Sequence, residues 1–173
     1  MSDRYLILMR HAKSSWANES LADFDRPLND RGRQAAPMMA RWLVENDLVP
    51  DSVLSSSAVR TQQTKELVLK QFAEPCTEFD LQELYLASPN KILESIATNA
   101  TSDSKTLLVI GHNPGTEILA SMLSGKAIVM PTAAIAVFRL RRASSWLIDL
   151  DDHQLRFENF VEPREIELSF GDS

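Results

Sequence analysis

The sequence contains one cysteine, Cys76, in 173 residues. Within one chain that excludes a disulfide framework and a zinc site built on cysteine. Cys76 is read as a bystander in a connecting segment. Long apolar runs are also missing. The N-terminal stretch holds only five consecutive apolar residues, Tyr5 to Met9, between polar flanks. That is too short for a signal peptide or a membrane span, so a cytoplasmic protein with no membrane partner is expected. Positive charge is in deficit: 18 Lys and Arg against 24 Asp and Glu give a net charge of -6. A nucleic-acid-binding domain shows the opposite balance, so no nucleic-acid partner is expected. Any phosphate site must be a local cluster of positive groups. Repeats, low-complexity stretches and composition shifts are absent too, which points to one domain. An apolar share of 44% and a charged share of 24% are ordinary for a soluble globular chain.

What is present alternates. Tyr5 to Met9 reads as a short buried strand. A helix follows Asn29, with Ala35, Met38, Met39, Trp42 and Leu43 on one face and Pro37 either kinking it or near its start. Ser52 to Leu54 reads as a strand and Ala58 to Phe72 as a helix. Ser88 and Pro89 read as an N-cap and first helical position, ahead of Ile92, Leu93, Ile96 and Ala97. Thr106 to Ile110 is a second apolar strand. Asn113 and Pro114 open another helix, with Ile118, Leu119, Met122 and Leu123 expected on its inner face. Ala133 to Leu140 is a strand with which the alternating segment Leu155 to Val161 pairs. From about Glu165 the tail is expected to be ragged and partly disordered. Strands alternating with helices predict a single α/β domain, a three-layer sandwich with helices on both faces of a mostly parallel sheet. In such sheets ligands bind beyond the carboxyl ends of the strands.

Two of the three histidines, His11 and His112, directly follow the two most apolar strands. Both therefore stand at one rim of the sheet. Arg10 precedes His11. Arg60 follows Ser55-Ser56-Ser57 at the start of a helix and reaches the same rim. Taken singly, a histidine at a strand end is more often structural and an arginine at a helix start more often a solvated charge. Together they suit a phosphoryl group. Arginine forks match phosphate oxygens and stay charged, and a neutral imidazole nitrogen is a competent nucleophile. Flanking guanidinium groups keep that nitrogen unprotonated. The helix after Asn113 adds its positive end. A metal on His11 and His112 is the rival chemistry. It wants carboxylate or thiolate ligands as well, and Arg10 would repel it.

Glu83, in Leu81-Gln82-Glu83-Leu84, is the best candidate for a proton donor, with an ordinary surface glutamate as the competing reading. Lys13 and Ser14 either line the pocket mouth or cap the loop. Trp16, Trp42 and Trp146 read as packing residues and His153 as part of a solvated turn.

Several segments resemble one family. Arg10-His11 at the end of the first strand is similar to the signature of the histidine phosphatase superfamily, which includes the cofactor-dependent phosphoglycerate mutases. Leu54 to Thr64 resembles its second arginine motif, Gly111-His112-Asn113-Pro114 its second histidine motif, and Arg26-Pro27-Leu28-Asn29 with Arg31-Gly32 the segment leading into its first helix. The motifs run in the family's order from Tyr5 to about Pro131. The short chain and Arg10-His11-Ala12-Lys13-Ser14 most resemble the SixA-type protein phosphohistidine phosphatases. Two departures stand out: Ala12 replaces the glycine common after the histidine, and the long insertion carrying the mutases' acid and cap is absent.

The resemblance implies a phosphoglycerate mutase-like fold, one histidine phosphatase domain over residues 1–173. It implies His11 as nucleophile, with Arg10, Arg60 and His112 as the phosphate pocket and no cofactor or metal. An open site and a weak acid favour imidazole as leaving group, hence phosphohistidine on a signalling or phosphotransfer protein. A small-molecule phosphomonoesterase and a non-catalytic phosphoprotein-binding module are the alternatives. A monomer is expected.

Overall fold

A computed structural model describes residues 2–143, 145–148 and 155–171. His153 lies outside them. The elements run β1 (Ser2–Arg10), α1 (Asp30–Glu45), β2 (Ser52–Ser56), α2 (Val59–Leu69), β3 (Thr77–Leu81), α3 (Pro89–Asn99), β4 (Thr106–Gly111), α4 (Gly115–Ser124), β5 (Ile135–Ala143), β6 (Leu155–Val161) and α5 (Pro163–Gly171). Short 3-10 turns sit at Asp23–Asp25 and Gln82–Leu84.

One six-stranded sheet has the order β3-β2-β4-β1-β5-β6. The four strands from β3 to β1 are parallel, and β5 and β6 are antiparallel. The mostly parallel sheet of the expected α/β domain is therefore present. Leu6, Ile7, Leu8 and Met9 of β1 are all fully buried. Each contributes about 1.5–3 kcal/mol relative to exposure. Their alternation divides the core. Leu6 and Leu8 face a cluster holding Ile92 and Ile96 of α3 and Leu119 and Leu123 of α4. Ile7 and Met9 face Met39 and Leu43 of α1, Val68 of α2 and Ile166 of α5.

The helix starts follow their caps. Asn29 accepts from the Gly32 amide at the head of α1, and Ser88 accepts from that of Lys91 at the head of α3. Pro37 lies inside α1.

The structure adds to or corrects the sequence reading at four points. The inner face of α4 is Gly115, Thr116, Leu119, Ala120 and Leu123, while Ile118 and Met122 are exposed. The reason is close approach: a Cβ on Gly115 would lie 1.8 Å from the Ala87 carbonyl oxygen, so the face against that loop must be small. In α3, Ser95 is buried with Ile92 and Ile96, and Ala97 is exposed. Strand β3 was not expected. It is an edge strand whose polar residues alternate with Phe79 and Leu81. The expected ragged tail is helix α5 as far as Gly171, anchored by buried Ile166.

Candidate active site

The parallel pairing of β1 with β4 sets Met9 against Ile110 and Arg10 against Gly111. The next residues of both strands are His11 and His112, and the His11 amide donates to the Gly111 carbonyl at 3.0 Å. The two rings stand 5.2 Å apart, centroid to centroid. On the other side of β4, Ser55 of β2 pairs with Ile110, which brings Ser56 and the start of α2, with Arg60, to the same edge. The structure thus brings Arg10, His11, Arg60 and His112 together around a cavity of about 620 Å3.

The hydrogen bonds assign the tautomers. His11 Nδ1 lies 2.7 Å from the Ala12 carbonyl oxygen, which only accepts, so Nδ1 carries the proton. Nε2 keeps its lone pair and accepts from Arg60 Nε at 3.2 Å. His112 Nδ1 accepts from the Arg60 guanidinium at 3.2 Å, so its Nε2–H donates to Ser56 Oγ at 2.8 Å. Both rings are neutral at pH 7. Burial, then the charges of Arg60, Arg10 and Arg26, holds His11 down at about 4 against the raising effect of its bond to Ala12. Burial, then His11 and Arg60, holds His112 at about 3.

Arg10 donates to the Met130 carbonyl at 2.9 Å, and its buried Nε has no hydrogen-bond partner among the described residues. Glu117 of α4 holds the same Met130 segment, accepting from Asn113 at 3.1 Å and from the Met130 amide at 2.8 Å.

Sequence reasoning missed Asp23. Its Oδ2 lies 2.9 Å from the Arg60 guanidinium and accepts from the Tyr85 hydroxyl at 2.6 Å. Its Oδ1 lies 2.9 Å from Arg26. The Tyr85 bond first, then Arg60 and Arg26, lowers its carboxyl to about 2. Arg26 also donates to Ser14 Oγ at 2.7 Å and stacks on Trp16, 3.2 Å from the ring centroid. Asp23 comes from a polar loop without periodicity; its one signal is the i,i+3 spacing from Arg26.

Lys13 and Ser14 line the cavity. Trp16, expected as a packing residue, is instead 75% exposed at its rim, whereas Trp146 is buried. Glu83 is exposed on the 3-10 turn after β3 and is not brought to the cavity. The carboxylate there is that of Asp23. Chemically the cavity offers guanidinium donors to anionic oxygens and, beside them, the unprotonated Nε2 of His11, whose lone pair Arg60 Nε engages.

The profile described as "Histidine phosphatase superfamily (branch 1)" matches residues 6–105. An uncharacterized chloroplastic protein of Arabidopsis thaliana is 36% identical over 144 residues, 79% of this chain and 66% of that protein, so the chain spans just under two thirds of it. An uncharacterized protein of Mycobacterium tuberculosis is 37% identical over 150 residues, 80% of this chain and 89% of that protein. Among solved structures, one assigned as the phosphohistidine phosphatase SixA of Nakamurella multipartitia is 26% identical. It superposes with a TM-score of 0.80 over 94% of this chain and 98% of that one.

Proposed function

The chain belongs to the histidine phosphatase superfamily, and we propose that this phosphatase works through a phosphohistidine on His11 and acts on phosphohistidine carried by a protein. The observation behind the mechanism is the unprotonated Nε2 of a neutral His11, whose lone pair accepts from Arg60 Nε at 3.2 Å and is released for attack when Arg60 turns to the phosphoryl oxygens. A phosphoryl group enters among Arg10, Arg60 and His112, whose donors match its equatorial oxygens. His11 Nε2 attacks phosphorus in line, forming a P–N bond as the bond to the leaving group breaks. Water then attacks the phosphohistidine, breaking that P–N bond and releasing inorganic phosphate. Incoming negative charge raises the pKa of His112, so that its Nδ1 takes up a proton and donates to the phosphoryl group.

Two features support the substrate. Between α2 and α3 the chain has only β3 and a 3-10 turn, with no inserted cap over the cavity. The carboxylate in the cavity, Asp23, is held at about 2 and is a poor proton donor at neutral pH. An alkoxide needs a donor; an imidazole, with a reference pKa of about 6.5, leaves as a neutral ring after its second nitrogen is protonated. The reading includes no metal, because guanidinium charge surrounds both histidines.

The test compares a phosphohistidine protein, phosphohistidine amide and sugar phosphates, each in the presence of a strong chelator. The highest kcat/KM is expected on the phosphohistidine protein, undiminished by chelator. Preference for sugar phosphates makes the enzyme a small-molecule phosphomonoesterase. His11→Ala should abolish turnover with the fold intact, and alkaline quenching of the wild type should trap an acid-labile phosphate. Near-normal turnover by His11→Ala overturns the mechanism.

A further inference from the structure

Beside the catalytic cavity lies a second one of about 590 Å3. Lys13, Pro131 and Thr132 line both, so the two adjoin. The wall of the second is one stripe of α1, since Arg31, Gln34, Ala35, Met38 and Arg41 recur at helical spacing. Helix α5 supplies the opposite wall with Arg164 and Glu167. Four cations, Lys13, Arg31, Arg41 and Arg164, thus face two carboxylates, Glu162 and Glu167.

All four cations are exposed. None of them forms a salt bridge among the described residues. In a chain of net charge -6, four unpaired cations along one groove leading into a phosphate site are an unbalanced local field that favours an anionic occupant. Across the catalytic cavity, the rim carries Trp16, 75% exposed and stacked on Arg26, and Leu86, 53% exposed. A basic groove on one side of a reactive pocket and apolar side chains on the other are the ingredients of a macromolecular docking face.

We propose that this groove binds acidic side chains flanking the phosphohistidine of a protein substrate, so that Lys13, Arg31, Arg41 and Arg164 select an acidic partner while His11 does the chemistry. This rests on the protein-substrate reading above. Small phosphorylated molecules that do not reach beyond the catalytic cavity gain nothing from the groove.

Synthetic peptides that carry one phosphohistidine flanked either by glutamates or by alanines test it, with phosphohistidine amide as the small substrate. At low salt the wild type should turn over the glutamate peptide with a kcat/KM about tenfold higher, the product of four exposed ion pairs worth roughly twofold each. The preference should lie in KM and fade as salt rises. The triple variant Arg31→Ala, Arg41→Ala, Arg164→Ala should lose most of the preference, keeping only the share of Lys13, and keep wild-type turnover of the amide. Equal use of both peptides by the wild type, or unchanged preference in the variant, overturns the groove. So does a loss on sugar bisphosphates larger than that on peptides, which makes it a small-molecule anion subsite. The same peptide pair built on phosphoserine separates the two claims. A glutamate preference there, with no turnover of phosphohistidine, overturns the substrate reading and retains the groove.

Discussion

Arg60 makes four hydrogen bonds in the cavity: to His11, to His112, and to the backbone and side chain of Asp23. A lysine offers one nitrogen where three are in use, and cannot present a planar fork to phosphoryl oxygens. Arg60→Lys should therefore lower kcat/KM by more than about tenfold, or ~1.4 kcal/mol. It should also lower the melting temperature by a few degrees, because buried acceptors lose their donor. Kinetics and calorimetry on the same preparation check both; unchanged turnover would make Arg60 a scaffold residue. Asp23 poses the opposite case. Its carboxylate, 43% exposed, engages the same guanidinium that phosphate needs, so an entering dianion must displace it. Asp23→Asn keeps the shape and removes the charge. Vanadate and inorganic phosphate should then bind several-fold tighter, an effect kept small by solvent screening. Weaker oxyanion binding would show that Asp23 orients Arg60 rather than competing for it.

At the scale of elements, the loop after β1 is held by the head of α1. A Cβ on Gly32 would lie 2.2 Å from the Lys13 carbonyl oxygen and 2.9 Å from its nitrogen. The Lys13 carbonyl also accepts from the Asn29 amide at 2.9 Å. Gly32→Ala should therefore push the Ala12–Ser14 segment, which carries two cavity-lining residues, and reduce both melting temperature and kcat/KM. Retention of both would mean that the loop gives way freely. Elements of this kind differ in how far the sequence announces them. Strands β1 and β4 are apolar runs ending in histidines, and parallel pairing alone puts those histidines side by side. The face of α4 misled because Ile118 and Met122 are as apolar as Leu119 and Leu123. What decides is the close approach of Gly115 to the Ala87 carbonyl, a tertiary demand that hydropathy does not carry. Edge strand β3 has too few apolar positions to register, and the loop with Asp23 has no period at all.

For the whole molecule, burying two neutral imidazoles beside three guanidinium groups links catalysis to folding. His11 and His112 sit at about 4 and about 3 in the folded chain, whereas in the unfolded chain both return to roughly 6.5. As pH falls through 6.5 the unfolded state gains protons that the folded state does not. Stability therefore drops as pH falls, beginning near 6.5 and continuing until the folded-state values are passed. Asp23 acts in a lower window. Its lowered carboxyl contributes stability that is full above about 3.8 and lost as pH falls towards 2. Between pH 6.5 and 5 the two site histidines should thus dominate, before ordinary carboxylates titrate. The melting temperature of the wild type should fall by several degrees across that interval. In the double variant His11→Gln, His112→Gln the fall should shrink to what the rest of the chain supplies. Thermal unfolding at pH 6.5, 5.75 and 5 for both proteins decides it. A slope unchanged in the double variant would mean that the histidines take up protons in the folded state. Such uptake would put the nucleophile itself out of action over the same pH range.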